Sequence, residues 1–170
     1  MLYNRLYQIS RGEAMEYLLS QVIFSFIASA GFGVIFNAPR NSLIHCGFVG
    51  MVGWISYILL ADSGVDPVIA SFVGAFAVAL VGHIMAKRFR MPMIIFSVAG
   101  IIPLVPGGLA YNAMRRVAEN DYLGAIPLAA KAFMISGAIA MGLVFAEVLV
   151  QIVMKAFRKQ SVAAGNEVGK

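Results

Sequence analysis

Three side chains that can carry a charge near neutral pH lie inside apolar runs of this chain, where a charge is costly unless it has a partner: His45, His83 and Glu147. Gln151 and Lys155 follow Glu147 at four-residue spacing, so the three form a short polar stripe on one helical face. A carboxylate at such depth carries protons or ions, or it is satisfied by Gln151 or a neighbouring helix. His83 continues a row of small residues, Ser71, Ala75 and Ala79, one turn later. It is a candidate proton relay, or else it bonds a carbonyl of the next helix. His45 stands one turn inside its run, where packing or capping competes with proton transfer.

A second stretch offers different chemistry. Met91-Pro92-Met-Ile-Ile-Phe-Ser-Val-Ala-Gly100-Ile-Ile-Pro103-Leu-Val-Pro106-Gly107-Gly108-Leu-Ala-Tyr111 is apolar enough to enter a bilayer, yet is broken in its middle. Pro92 suits a first helical turn, where its missing N–H costs nothing. Pro103 lies 11 residues further on, about 16 Å along a helix axis and about half of a ~30 Å hydrocarbon core. Pro103 and Pro106 cannot donate to the carbonyls of Ala99 and Ile102. Gly107 and Gly108 let the backbone turn before a second half-helix restarts toward Met114. Unpaired backbone at mid-depth is tolerated only inside protein or beside a watery cavity. A half-helix starting there presents N–H groups and a positive dipole end, which suits an anionic substrate group. The alternative is a proline-kinked helix that only packs.

The elements that must hold these residues are membrane helices. With 61% hydrophobic and 12% charged residues in 170, the chain is not an ordinary soluble domain. The expected class is an all-α, polytopic helical membrane protein with about five transmembrane helices, the fourth broken at Pro103/Pro106-Gly107. The net charge of +5 needs no nucleic-acid partner, since most basic residues flank apolar runs. The lone Cys46 excludes an intrachain disulfide and a multi-cysteine metal site.

In order, residues 1–16 form an interfacial segment or a frayed end, with Leu2, Leu6, Ile9, Tyr3 and Tyr7 as the apolar face. The membrane domain covers 17–157. Span one is Tyr17–Phe36, with a small face of Ser25, Ser29 and Gly33. Asn37-Ala38-Pro39-Arg40-Asn41-Ser42 is a turn, and Asn41 or Ser42 can cap the next helix. Span two, Leu43–Ala61, carries Gly47, Gly50 and Gly53 for close backbone approach, and a deep Trp54 that is core or lines a cavity. Asp66 before Pro67 reads as the N-cap of span three, Pro67–Ala86. Arg115 and Arg116 follow the broken span and could draw anions toward its second half. Span five is Ala132–Val153, with Ala138, Gly142 and Ala146 as its small face and Lys131 snorkelling at its start. Residues 158–170 read as a flexible tail. Eight basic residues fall on one side and five on the other, which favours the N-terminus outside and the C-terminus in the cytoplasm.

Gly31-Phe-Gly-Val-Ile-Phe36-Asn37-Ala-Pro39, together with the later Phe96-to-Tyr111 stretch, resembles the threonine/serine exporter family, and within it the small subunit of the split, two-component form. The likeness runs over roughly residues 14–157. The positions that match the family motif are Asn37, Pro39, Pro103, Pro106, Gly107 and Tyr111. Fused members of the family carry two membrane halves, and this chain resembles the C-terminal one. The resemblance therefore implies a larger membrane subunit as partner and a multi-pass location in the bacterial inner membrane. It also implies export of threonine and serine driven by the proton motive force. Split pairs are linked to dicarboxylate export, succinate in particular.

Three functions compete on this sequence. As an exporter subunit, with a partner or as a homo-oligomer, it would meet a carboxylate-bearing small molecule at Pro103, Pro106, Gly107, Gly108 and Tyr111, and couple protons at Glu147, His83 or His45. Asn37 and Pro39 would be structural. As a scaffold it would only stabilise the partner, through its small faces. As an enzyme it lacks a nucleophile paired with a base, a His-Glu-x-x-His cluster, paired intramembrane carboxylates and a phosphate-cradling loop. No catalytic residue, metal site or cofactor is therefore expected.

Overall fold

A computed structural model describes the chain from residue 11 to 168, with side chains described from 15 to 155. Residues 1–10 of the expected interfacial segment lie outside the described residues. Among the described residues, six α-helices follow one another: α1 (Arg11–Ile35), α2 (Leu43–Asp62), α3 (Pro67–Phe89), α4 (Met93–Ile101), α5 (Gly107–Ala118) and α6 (Tyr122–Val168). Single 3-10 turns occupy Arg40–Ser42 and Ile102–Leu104. Four helices, α1, α2, α3 and α6, are each long and apolar enough to cross a membrane. The pair α4–α5, bent by 56° at the break, is long and apolar enough for a fifth if its two halves count as one span.

Local chemistry ends and starts these helices. Asn37 takes a left-handed conformation, φ 53°. Its N–H donates to the Val34 carbonyl at 3.0 Å, and that of Ala38 to Gly33 at 2.9 Å. This pair of bonds closes α1 in a Schellman turn, and Pro39 then prevents its continuation. Asp66 accepts a bond from the Val68 N–H at 2.8 Å with Pro67 in the first turn, as the sequence suggests. Ser42 holds the N-cap position of α2 but makes no capping bond through its side chain. Its hydroxyl instead donates to the Pro39 carbonyl at 2.7 Å. The last helix starts at Tyr122, ten residues before Ala132, and takes in Pro127. Asp121 makes that earlier start workable by accepting from the Gly124 N–H at 3.0 Å. The helix also runs on through Val168, over residues where the sequence suggests a flexible tail.

Small residues set the packing, because helices in lipid associate by van der Waals contact rather than by hydrophobic burial. Ser25, Ser29 and Gly33 of α1 are buried against α2. A Cβ on Gly50 would overlap the Ser29 hydroxyl, and Gly50 also faces the Gly100 carbonyl of α4. Cys46, Val49, Ala75, Val78, Phe96 and Ala99 form the centre, shared by α2, α3 and α4. Leu104, in the turn at the break, packs into the gap left by Gly53 and Gly74. Thus the break is pinned on its inner side by a buried leucine.

The order of neighbours along α6 decides how the broken stretch runs. Met93, Ile94 and Ser97 share a cavity with Leu143, Val144 and Val148. Asn112, Arg115 and Arg116 share one with Leu128. As the chain advances from α4 to α5, its neighbours on α6 recede toward the start of that helix. The two half-helices therefore travel along α6 in one antiparallel direction, as a crossing span does. A re-entrant hairpin would return to the end where it began.

Candidate functional site

The small faces of α3 and α6 bring two titratable residues together. Ser71, Ala75 and Ala79 are buried on α3, as are Gly142 and Ala146 on α6. A Cβ on Gly142 would stand 2.5 Å from the Phe72 carbonyl oxygen, so only glycine allows this approach. One turn beyond Ala79 on α3 and one residue beyond Ala146 on α6, His83 Nδ1 stands 3.9 Å from Glu147 Oε2. The two side chains are 21% and 39% exposed. On its other side, Glu147 Oε1 accepts from Gln151 Nε2 at 3.0 Å. His83 Nδ1 is buried and has no hydrogen-bond partner among the described residues.

At 3.9 Å the imidazole and carboxylate attract when the ring is charged, but they are not hydrogen-bonded. A closure of about 1 Å brings them into hydrogen-bond range. One proton can then pass between Nδ1 and Oε2. The pair also sits between two cavities. His83 borders a groove of about 780 Å³ between α3 and α6. Glu147 borders a second cavity of about 420 Å³ between α4 and α6, which reaches Ser97. Ser97 lies six residues before Pro103, about 9 Å along the helix axis.

The broken stretch is built as the prolines and glycines suggest, but it faces outward. Val105 is extended, and the Gly107 N–H turns back to the Val105 carbonyl at 2.7 Å. The first regular bond of α5 runs from the Ala110 N–H to the Pro106 carbonyl at 3.0 Å. Pro103 and Pro106 are half-buried, whereas Gly107 and Gly108 are exposed, with open space where a Cβ would stand. Tyr111 is 68% exposed. None of these five residues lines the His83 groove or the Glu147 cavity. The start of α5 and Tyr111 thus form an open face on this chain.

His45 is held elsewhere. Its Nδ1 lies 3.0 Å from the Asn41 carbonyl, and its ring meets that of Phe89 at 4.0 Å between centroids. Arg115 pairs with Glu119 at 2.9 Å, and Arg116 with Asp121, so both cations expected to draw anions already have acidic partners. Asp121 lies outside the spans. The Gly124 N–H and then Arg116 hold its carboxyl below the usual range.

Two relationships escaped the sequence reading. His83 and Glu147 were separate candidates, 64 residues apart. The signal that joins them is that each stands at the end of a row of small residues, His83 one turn after Ala79 and Glu147 directly after Ala146. Gln21, a lone amide inside span one, accepts from Trp54 Nε1 at 2.9 Å and ties α1 to α2. Trp54 in turn stacks on Tyr57 at 5.2 Å.

The fold defines a multi-pass helical membrane protein with one broken apolar stretch and an imidazole–carboxylate pair on a helix seam. Residues 21–149, three quarters of the chain, match the family described as Threonine/Serine exporter, ThrE, and the chain belongs to that family. A curated relative from Haemophilus influenzae, named only as an uncharacterized protein, is 30% identical over 107 residues. That match covers 63% of this chain but 36% of the relative, so the chain spans about a third of the protein it matches. No solved structure matches.

Proposed function

We propose that this chain is the small membrane subunit of a proton-coupled exporter of carboxylate-bearing metabolites, threonine and serine first, acting with a larger membrane subunit in the bacterial inner membrane. The observation that carries the coupling role is the His83–Glu147 approach at 3.9 Å between two cavities. A proton taken up by Glu147 removes its charge and its attraction for His83. The seam between α3 and α6 then has two states that differ by one proton, which is the kind of element a transport cycle needs. Family membership supports the transporter class.

The outward face of the break supports a shared substrate site. A half-helix start within the bilayer needs an acceptor for its free N–H groups. Gly107, Gly108 and Tyr111 find none of the described cavities around them, so a second membrane subunit would close the site and the substrate carboxylate would occupy it. The same outward face favours a second reading, in which the partner holds the whole site and this chain is a scaffold. Succinate and related dicarboxylates are the alternative substrates.

The test is efflux of labelled threonine, serine and succinate from cells expressing this chain, the larger subunit, or both. Export only with both subunits is expected, and the preferred label names the substrate. Export by this chain alone would show a complete, self-associated pathway. If the two subunits together, both verified in the membrane, export none of the three labels, this reading fails.

A further inference from the structure

The groove beside His83 has a second character that proton coupling does not use. Lys87, Arg88 and Arg90 all line it at the end of α3. On a continuous helix these three positions would spread around roughly half the circumference. Here Arg90 takes a left-handed conformation, φ 54°, which ends the helix and turns its side chain back to the same cavity as the other two. None of the three forms an ion pair among the described residues, in contrast to Arg115 and Arg116.

The rest of the lining is Leu80, His83, Ile84, Val150 and Met154, apolar apart from the imidazole. Leu80 lies seven residues before Lys87, about 10 Å further into the membrane along α3. The groove therefore pairs a cationic mouth at headgroup level with an apolar channel at acyl level. We propose that it binds one anionic phospholipid, with the phosphate among Lys87, Arg88 and Arg90 and the upper acyl chain between α3 and α6. A soluble anion would use the cations but leave the apolar walls unsatisfied. A zwitterionic lipid would fit the walls but gain less from three uncompensated charges, each worth roughly a fivefold factor near a membrane surface. Glu147 lies outside the lining and is bonded to Gln151. The proposal is independent of the export reading.

The test uses the purified chain in detergent, titrated with phosphatidylglycerol or phosphatidylcholine and read by native mass spectrometry. One phosphatidylglycerol retained per chain, and no phosphatidylcholine at the same concentration, is expected. The variant Lys87→Gln/Arg88→Gln/Arg90→Gln should weaken retention on the order of 100-fold, given that charge contribution. Ile84→Trp, which fills the groove and keeps every charge, should abolish it. Arg40→Gln/Lys131→Gln, which removes two cations outside the groove, should change nothing. Equal losses in the Arg40/Lys131 variant would mean general charge attraction and overturn the proposal, as would normal retention by Ile84→Trp. Displacement of the lipid by glycerol phosphate at equal concentration would reveal a plain anion site and overturn it too.

Discussion

His83 Nδ1 on α3 and Glu147 Oε2 on α6 stand 3.9 Å apart across a seam that only small residues keep closed. Neither residue is near the other in sequence, and neither helix alone gives its polar group a cross-helix partner. The contact makes the two groups one unit, and a unit responds to mutation differently from two independent sites.

Glu147→Gln and His83→Gln are each expected to lower proton-driven export by about tenfold or more at unchanged abundance. The double variant should be no worse than the weaker single. A coupling of at least ~0.5 kcal/mol in this cycle is the mark of direct contact. Export rates and membrane abundance of the four forms measure it. Simple addition of the two effects would separate the residues.

Gly142 faces the Phe72 carbonyl, so Gly142→Leu should force α6 away from α3. Overpacking of this kind costs about 1–3 kcal/mol, and it should also remove the His83–Glu147 coupling. Gly137 on the same helix has open space around it. Gly137→Ala should leave stability unchanged or raise it by up to ~1 kcal/mol. Thermal unfolding of the purified variants gives the comparison.

Gly107 also has open space, so Gly107→Leu should leave the isolated chain's stability within about 0.5 kcal/mol. Export by the assembled pair should nevertheless fall, as it should for Pro106→Ala. If both variants insert normally and export at full rate with the larger subunit, the break is not part of the substrate site.

Asn37 holds φ 53°, a conformation that costs a branched residue about 1–2 kcal/mol. Asn37→Gly should be tolerated and Asn37→Val should lower the unfolding temperature. Equal behaviour of the two would show that the left-handed turn is not what the position requires.

Asp121 starts α6 and has its carboxyl held low by the Gly124 N–H and by Arg116. A depressed folded-state value means that the ionised form stabilises the fold. That contribution is complete above the ordinary Asp range near 4 and is lost as pH falls through the lower folded-state value. Asp121→Asn keeps an acceptor for Gly124 but removes the titration. The unfolding temperature of the parent should therefore fall more steeply below about pH 4 than that of the variant, once the shared acid dependence is subtracted.

Much of the architecture was legible because membrane helices are specified locally. Leu43 and Pro67 begin α2 and α3 where composition and the Asp66-Pro67 pair place them. The rows Ser25-Ser29-Gly33 and Ser71-Ala75-Ala79 are buried where four-residue spacing predicts a packing face, and of Ala138-Gly142-Ala146 the last two are buried and Ala138 half-buried. The early start of α6 was less legible. Its first ten residues include Pro127, and the cap at Asp121 that starts it depends on a bond to Gly124 and a cation brought back from α5.

By itself, the sequence determined which segments are apolar enough to cross, where the fourth breaks and which faces are small enough to pack. Each of those follows from a run of apolar residues, a proline or a periodicity within one helix. Only the tertiary structure decided that His83 meets Glu147, that Gly107 and Tyr111 face outward, that the broken stretch travels on along α6 and that three cations share one groove. Those outcomes depend on which small face meets which, and a face of glycines and alanines carries no address. The choice is made by how closely backbones on different helices can approach, as Gly142 does against Phe72.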